Sequence, residues 1–272
     1  MGTVSKDQPI GIFDSGIGGL TVAHAIKKMM PLESLVYFGD TAHLPYGDKS
    51  EAAIQAYSIK IADVLLKNNC KVIVIACNSA SSAAYELLKE YVHQDVKVIN
   101  VIDPMVSWVG EKYSHCNIGL IGTKRTVQSG IYSKKIESLN KGIKLHALPA
   151  PLLVPMIEEG FFNNKISHDI IEKYLKYTAL QDIKALILGC THYPLIKNEI
   201  NTFYGSRVDV LDSSEAVASA LFHYLKSSDL LSPSESKEDH FLVSDYTDSF
   251  EASTKLFFHS SVHLEKHPLW GQ

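Results

Sequence analysis

Short apolar runs that end in Gly, Asp, Ser or Thr recur along most of this chain, and each is followed by a stretch with helical spacing. Eight such runs read as strands. Ile10–Phe13, Leu35–Phe38, Val72–Ala76 and Val96–Ile102 fill the first half, with helical stretches around Leu20–Met30, Ser50–Lys67 and Ala80–Tyr91 between them. Ile118–Ile121, Lys144–Leu148, Ala185–Leu188 and Val208–Leu211 repeat the order in the second half. Alternation of this kind gives parallel sheets with helices on their faces. The expected fold class is therefore α/β.

The two halves also match at their strand ends. IGIFDS at 10–15 lies over IGLIGT at 118–123, and VIVIACNS at 72–79 over ALILGCTH at 185–192. Any two α/β units look alike at such places, but here Cys77 and Cys190 coincide as well. We read an internal duplication: two pseudo-symmetric three-layer α/β lobes with mainly parallel sheets. In open parallel sheets the binding crevice lies outside the carboxyl ends of the strands, so both thiols are expected in a cleft between the lobes.

Composition narrows the function classes. With 272 residues and 46% hydrophobic content the chain is neither disordered nor a small disulfide scaffold. A net charge of -4 without a basic block leaves nucleic acid as no default partner. The longest clean apolar runs, Val72–Cys77 and Ala185–Cys190, fall far short of the ~20 residues of a membrane helix, so no membrane partner is expected. The first apolar segment, broken by Gly11 and ended by Asp14, does not read as a signal peptide. Four cysteines without a C-x-x-C pair fit a reducing compartment, and a cytoplasmic protein is expected. After Leu221 the chain turns polar from Ser227 to Asp239. A strand-like HFLVSD and a helical SFEASTKLFF follow, a tail expected to pack back on a lobe, with Ser232-Pro233-Ser234 as an exposed turn.

Several motifs carry chemistry. Gly16, Gly18 and Gly19 in FDSGIGGL follow a strand and open a helix, a place that welcomes an anion but serves equally as a tight turn. ACNSASSA puts Cys77 at a helix N-terminus, which would lower its pKa from ~8.5; a buried structural thiol is the bland alternative. In LGCTHYP, Cys190 is followed two residues later by His192, the pairing that activates a thiol, although His192 alone could be a hydrogen-bonded core histidine. Cys190, His192, Asp14 and Cys77 could instead ligate a metal, but the closely spaced cysteine pairs of structural zinc sites are missing. GDTAHLPYGDKS is a loop with a rigid Pro45-Tyr46-Gly47 turn, in which Asp40 and His43 face either the cleft or solvent.

FDSGIGG, GDTAHLPYG, ACNSAS, PLLVPMIEEG and GCTHYPLI, in this order and spacing, together resemble the glutamate racemases of the aspartate/glutamate racemase superfamily, from Ile10 to about Ala220. The resemblance implies a first lobe of residues 1–99 plus 212–272 and a second of 100–211. It implies cofactor-independent interconversion of L- and D-glutamate, supplying D-glutamate for peptidoglycan, with no metal and with a homodimer as the assembly. Carried over by position, Cys77 and Cys190 are acid/base thiols assisted by Asp14 and His192. Asp14, Ser15, Tyr46, Gly47, Asn78, Ser79, Thr191 and His192 match substrate-binding positions, and Glu158 an acidic residue linked to activity. Thr123 and Thr126 also match the family, as do Ser129 and Tyr132. Two departures stand out: Ser79 replaces the more usual Thr, and the cations Lys124 and Arg125 replace small or apolar residues, with their relation to substrate open. Aspartate or a hydantoin as substrate, or a two-lobed protein that binds a dicarboxylate without chemistry, are the rival readings.

Overall fold

The computed structural model describes residues 4–92, 95–234 and 238–270. Along the chain the first sheet receives β1 (Ile10–Asp14), β2 (Leu35–Gly39), β3 (Val72–Ile75) and β4 (Lys97–Asn100), separated by α1 (Leu20–Met29), α2 (Glu51–Lys67) and α3 (Asn78–Tyr91). After α4 (Ile102–Lys112), a second sheet receives β5 (Asn117–Gly122), β6 (Lys144–Pro149), β7 (Ala185–Gly189) and β8 (Asp209–Asp212). Between these strands lie α5 (Lys124–Gln128), α6 (Ile131–Ser138), α7 (Leu153–Glu158), α8 (Lys165–Leu175) and α9 (Lys197–Tyr204). The chain ends with α10 (Ser213–Ser227), β9 (His240–Val243), α11 (Asp248–Phe258) and the short β10 (Glu265–Lys266).

The strand order is β10-β9-β2-β1-β3-β4 in one sheet and β6-β5-β7-β8 in the other. Every pairing is parallel. Parallel strands need helices over both faces, which is why β1, β2, β3 and β7 are buried along their whole length. One core runs from a face of the first sheet through α1, α10 and α4 into the second sheet; a separate one lies under α2 and α3.

All eight strand runs form strands, and only one end differs from the expectation by more than a residue. The expected strand Val96–Ile102 stops at Asn100, because the Asn100 Oδ1 accepts the N–H groups of Ile102 (2.7 Å) and Asp103 (2.8 Å) and starts α4 there. In the tail, HFLVSD supplies β9, which pairs with β2, and SFEASTKLFF supplies α11. Residues 235–237 of the polar stretch lie outside the described residues. Ser232 departs from an exposed turn: it is buried, and its N–H donates to Glu33 Oε1 at 2.8 Å. The other Glu33 oxygen holds the buried Lys71 Nζ at 2.6 Å, and Lys71 also donates to the carbonyls of Lys6 and Leu230. This buried cation ties the N-terminal segment, two strands and the tail loop together.

Candidate active site

Each sheet has a switch point where its central strand is flanked by strands reached in opposite directions, β1 between β2 and β3, and β5 between β6 and β7. Crevices form at the carboxyl ends there. Asp14 ends β1 and Cys77 follows β3; Thr123 follows β5 and Cys190 follows β7. The duplicated topology therefore delivers one thiol from each lobe to equivalent positions.

Cys77 is itself the N-cap of α3, its Sγ accepting the Ala80 N–H at 3.4 Å and lying 3.6 Å from Ser15 Oγ. The helix terminus does not produce the lowered pKa that the motif promised. Burial pushes the Cys77 thiol up to about 12, and charges on Asp14 and Cys190 push the same way, outweighing the Ala80 and Ser15 hydrogen bonds. Cys77 thus rests as a thiol.

Cys190 has different company. Its Sγ lies 3.8 Å from His192 Nδ1, while His192 Nε2 meets Glu158 Oε1 at 3.0 Å. Burial opposes charge on His192, but Cys190 and Glu158 outweigh it and raise the imidazole to about 10. At neutral pH His192 is an imidazolium held between a carboxylate and a sulfur. Glu158 is thus linked to Cys190 through His192, a connection the PLLVPMIEEG motif could not reveal.

Asp14 is fully buried and its pKa is raised, mainly by desolvation. Its Oδ2 accepts the Gly16 N–H at 3.1 Å, and its Oδ1 accepts from Thr191 Oγ1 at 3.4 Å across the cleft. A second cross-lobe bond runs from Thr21 Oγ1 to the Thr191 carbonyl. Close approach of the two loops demands Gly18: a Cβ there would fall 2.5 Å from His192 Nδ1 and 2.7 Å from Thr191 Oγ1.

Asn78 Oδ1 accepts from the Tyr132 hydroxyl at 2.8 Å, but its buried Nδ2 has no partner among the described residues. A buried donor left this way is costly unless a ligand takes it. Ser79 Oγ, Thr123 Oγ1 and Thr126 Oγ1 form a cross-lobe chain of hydroxyls, at 2.8 and 3.0 Å.

The Tyr46–Gly47 turn is held from both sides. The Tyr46 hydroxyl donates to Asp40 Oδ2 at 2.6 Å, within a network in which the other Asp40 oxygen meets His43 Nδ1 and Ser244 Oγ, each at 2.7 Å. Gly47 lies flush on Thr123, where a Cβ would fall 3.0 Å from Thr123 Cβ. The tail helix adds a residue that no motif announced: Phe257 packs edge-on against His192, ring centroids 5.2 Å apart. Tyr193, within the GCTHYPLI motif, ties the loop after β7 to the segment leading into α7 by donating to the Ala150 carbonyl, at 3.1 Å.

Among the described residues no group of three or more His, Cys, Asp or Glu side chains is placed to hold a metal ion. No helix among them is long and apolar enough to cross a membrane.

A family model described as Asp/Glu/Hydantoin racemase matches residues 20–221. The chain belongs to that family. It is similar to a glutamate racemase of Persephonella marina, 41% identical over 94% of this chain and 96% of the other, and to one of Chlorobaculum tepidum, 38% identical over 93% of each. Among solved structures, the glutamate racemase of Francisella tularensis in complex with D-glutamate superposes with a TM-score of 0.90, at 37% identity over 97% of this chain and 98% of that one. This racemase, an isomerase by family, shares the two-sheet α/β architecture of that structure. The identity covers nearly the whole chain, so lobes, tail and cleft are common to these proteins.

Proposed function

We propose that this racemase interconverts L- and D-glutamate by moving protons between the substrate α-carbon and the two thiols. The observation that carries the mechanism is the opposite surroundings of Cys77 and Cys190 at equivalent strand ends. Inversion by proton transfer needs a base on one face of the stereocentre and an acid on the other, the first deprotonated and the second protonated at the start. Cys190 beside the His192 imidazolium has a cationic partner for a thiolate. Cys77, held neutral by burial, has a proton to give.

In one direction Cys190 takes the α-proton and becomes a thiol, while Cys77 delivers its proton to the opposite face and becomes a thiolate. The reverse turnover exchanges the roles, and no net proton is consumed. Asp14 stands at the Cys77 end of the cleft, where its charge favours the protonated thiol, and His192 at the Cys190 end, where the imidazolium offsets the charge of a thiolate. The free Asn78 Nδ2 and the N-terminus of α3 suit a substrate carboxylate, whose added charge in the carbanion they stabilise. Ser15, Thr191 and the hydroxyls of Ser79, Thr123 and Thr126 supply further polar contacts, with the Tyr46–Gly47 segment as a wall. Glutamate is favoured as substrate by relatives named glutamate racemase at 38 and 41% identity.

A cytoplasmic homodimer that supplies D-glutamate for peptidoglycan completes the reading. The direct test is circular dichroism of L-glutamate and, separately, D-glutamate with the reduced protein and no added cofactor. Both signals are expected to decay to zero. Persistence of both with glutamate, but decay with aspartate, would overturn the substrate assignment.

A further inference from the structure

Lys124 and Arg125 reach neither thiol. Arg125 instead crosses between the lobes: its Nε and Nη2 both donate to the Lys49 carbonyl, at 3.2 and 2.9 Å. Lys124 Nζ meets Asp48 Oδ1 at 3.2 Å. Directly beside them Gly47 lies against Thr123, and Thr123 bonds Ser79. The segment Tyr46–Asp48 and its successor Lys49 are thus clasped to the first turn of α5.

Behind this seam the site is closed. Cys77 and Cys190 are each 6% exposed, His192 is 5% exposed and Asp14 is not exposed at all. A wide groove lies elsewhere, between α1, α4 and α10, and contains neither thiol. A polar amino acid can reach the sulfurs only if the lobes part.

We infer that Arg125 is the latch of this cleft, a positioning residue whose grip on the Lys49 carbonyl holds the closed state and whose release admits and discharges substrate. The planar guanidinium suits the task, since two of its fixed donors converge on one acceptor. The Lys124–Asp48 pair is half exposed on both sides and contributes less. Because the acceptor is backbone, the side chain of Lys49 is not part of the latch. The inference takes from the glutamate reading only the identity of what is admitted.

Thiol alkylation reads the latch without turnover. The protein is treated with iodoacetamide in the absence of glutamate, and labelling of each cysteine is followed by peptide mass spectrometry. In Arg125→Ala, labelling of Cys77 and Cys190 is expected to accelerate at least about tenfold, the factor equivalent to about 1.4 kcal/mol in the opening equilibrium. Cys70, 2% exposed in the core of the first lobe, is the internal monitor of unfolding and is expected to stay unlabelled. Lys49→Ala, which keeps the carbonyl, should label like the parent. Lys124→Asp, a surface change that sets like charges face to face, should give a smaller acceleration that salt reduces. Unchanged labelling of Cys77 and Cys190 in Arg125→Ala would overturn the inference. So would equal acceleration at Cys70, which would make Arg125 a support of the fold. Because no glutamate is present, a failed substrate assignment would leave these rates untouched.

Discussion

Replacing Glu158 by Gln tests the charge arrangement at the Cys190 end of the cleft. The amide oxygen can still accept from His192 Nε2, where the carboxylate now sits at 3.0 Å, so the ring keeps its orientation while the charge disappears. An opposite charge at this range shifts a pKa by roughly one to three units. Glu158 is 35% exposed, and solvent screening puts the expected shift at the low end, about one unit or about 1.4 kcal/mol. His192 should then titrate near 9 instead of about 10. The assay is the pH dependence of kcat/KM in both directions, paired with an NMR titration of the His192 ring. At pH 7 the imidazolium persists in both proteins, so activity should change little; above pH 9 the variant should fail first. An alkaline limb that stays in place would refute the role given to Glu158. Near-total loss at pH 7 would also refute it, by showing a direct part in substrate binding or chemistry.

Further consequences can be checked separately. His192 has a folded pKa raised above its unfolded value of 6.5, so its contribution to stability is complete below about 6.5 and is lost as pH rises through about 10; urea titrations between pH 6 and 11 should show that slope, and it should flatten in His192→Gln. Cys77→Ala and Cys190→Ala should each abolish racemisation in both directions, and full turnover by either in a polarimetric assay would remove the two-thiol account. Gly18→Ala forces the Thr191–His192 loop away from the first lobe and should lower kcat/KM at least about tenfold, the factor equivalent to about 1.4 kcal/mol, with the melting temperature little changed. Lys71→Met leaves the buried Glu33 unpaired and should cost about 3–5 kcal/mol in urea denaturation without moving the pH profile of the reaction.

The fold was legible because parallel strands buried on both faces leave unbroken apolar runs, and because the duplication repeats them in order. The thiols were legible for a related reason: Cys77 and Cys190 sit at strand ends, where topology fixes position. What escaped depends on side chains meeting across elements. Glu158 and His192 are 34 residues apart and pair only once α7 lies against the loop after β7. Phe257 reaches His192 from the far end of the chain. A helix N-terminus in the sequence implied a lowered Cys77 pKa, but only the packed structure reveals the burial that reverses it. The Tyr46 hydroxyl is held by Asp40, six residues earlier in the same loop, a bond that the GDTAHLPYG motif does not announce. Lys124 and Arg125 were visible as cations, yet the acceptor of Arg125 is a backbone carbonyl, which no side-chain pattern encodes.

The central claim is that two different groups handle the two protons on opposite faces of the α-carbon. It is tested most directly by running each enantiomer to a few per cent conversion in D₂O, separating the enantiomers and measuring deuterium at Cα in both. With two thiols, the product takes its proton from a group equilibrated with solvent. The account therefore predicts product fully deuterated and recovered substrate still protonated, in both directions. Product that retains the original α-proton would mean that one base serves both faces, and would contradict it.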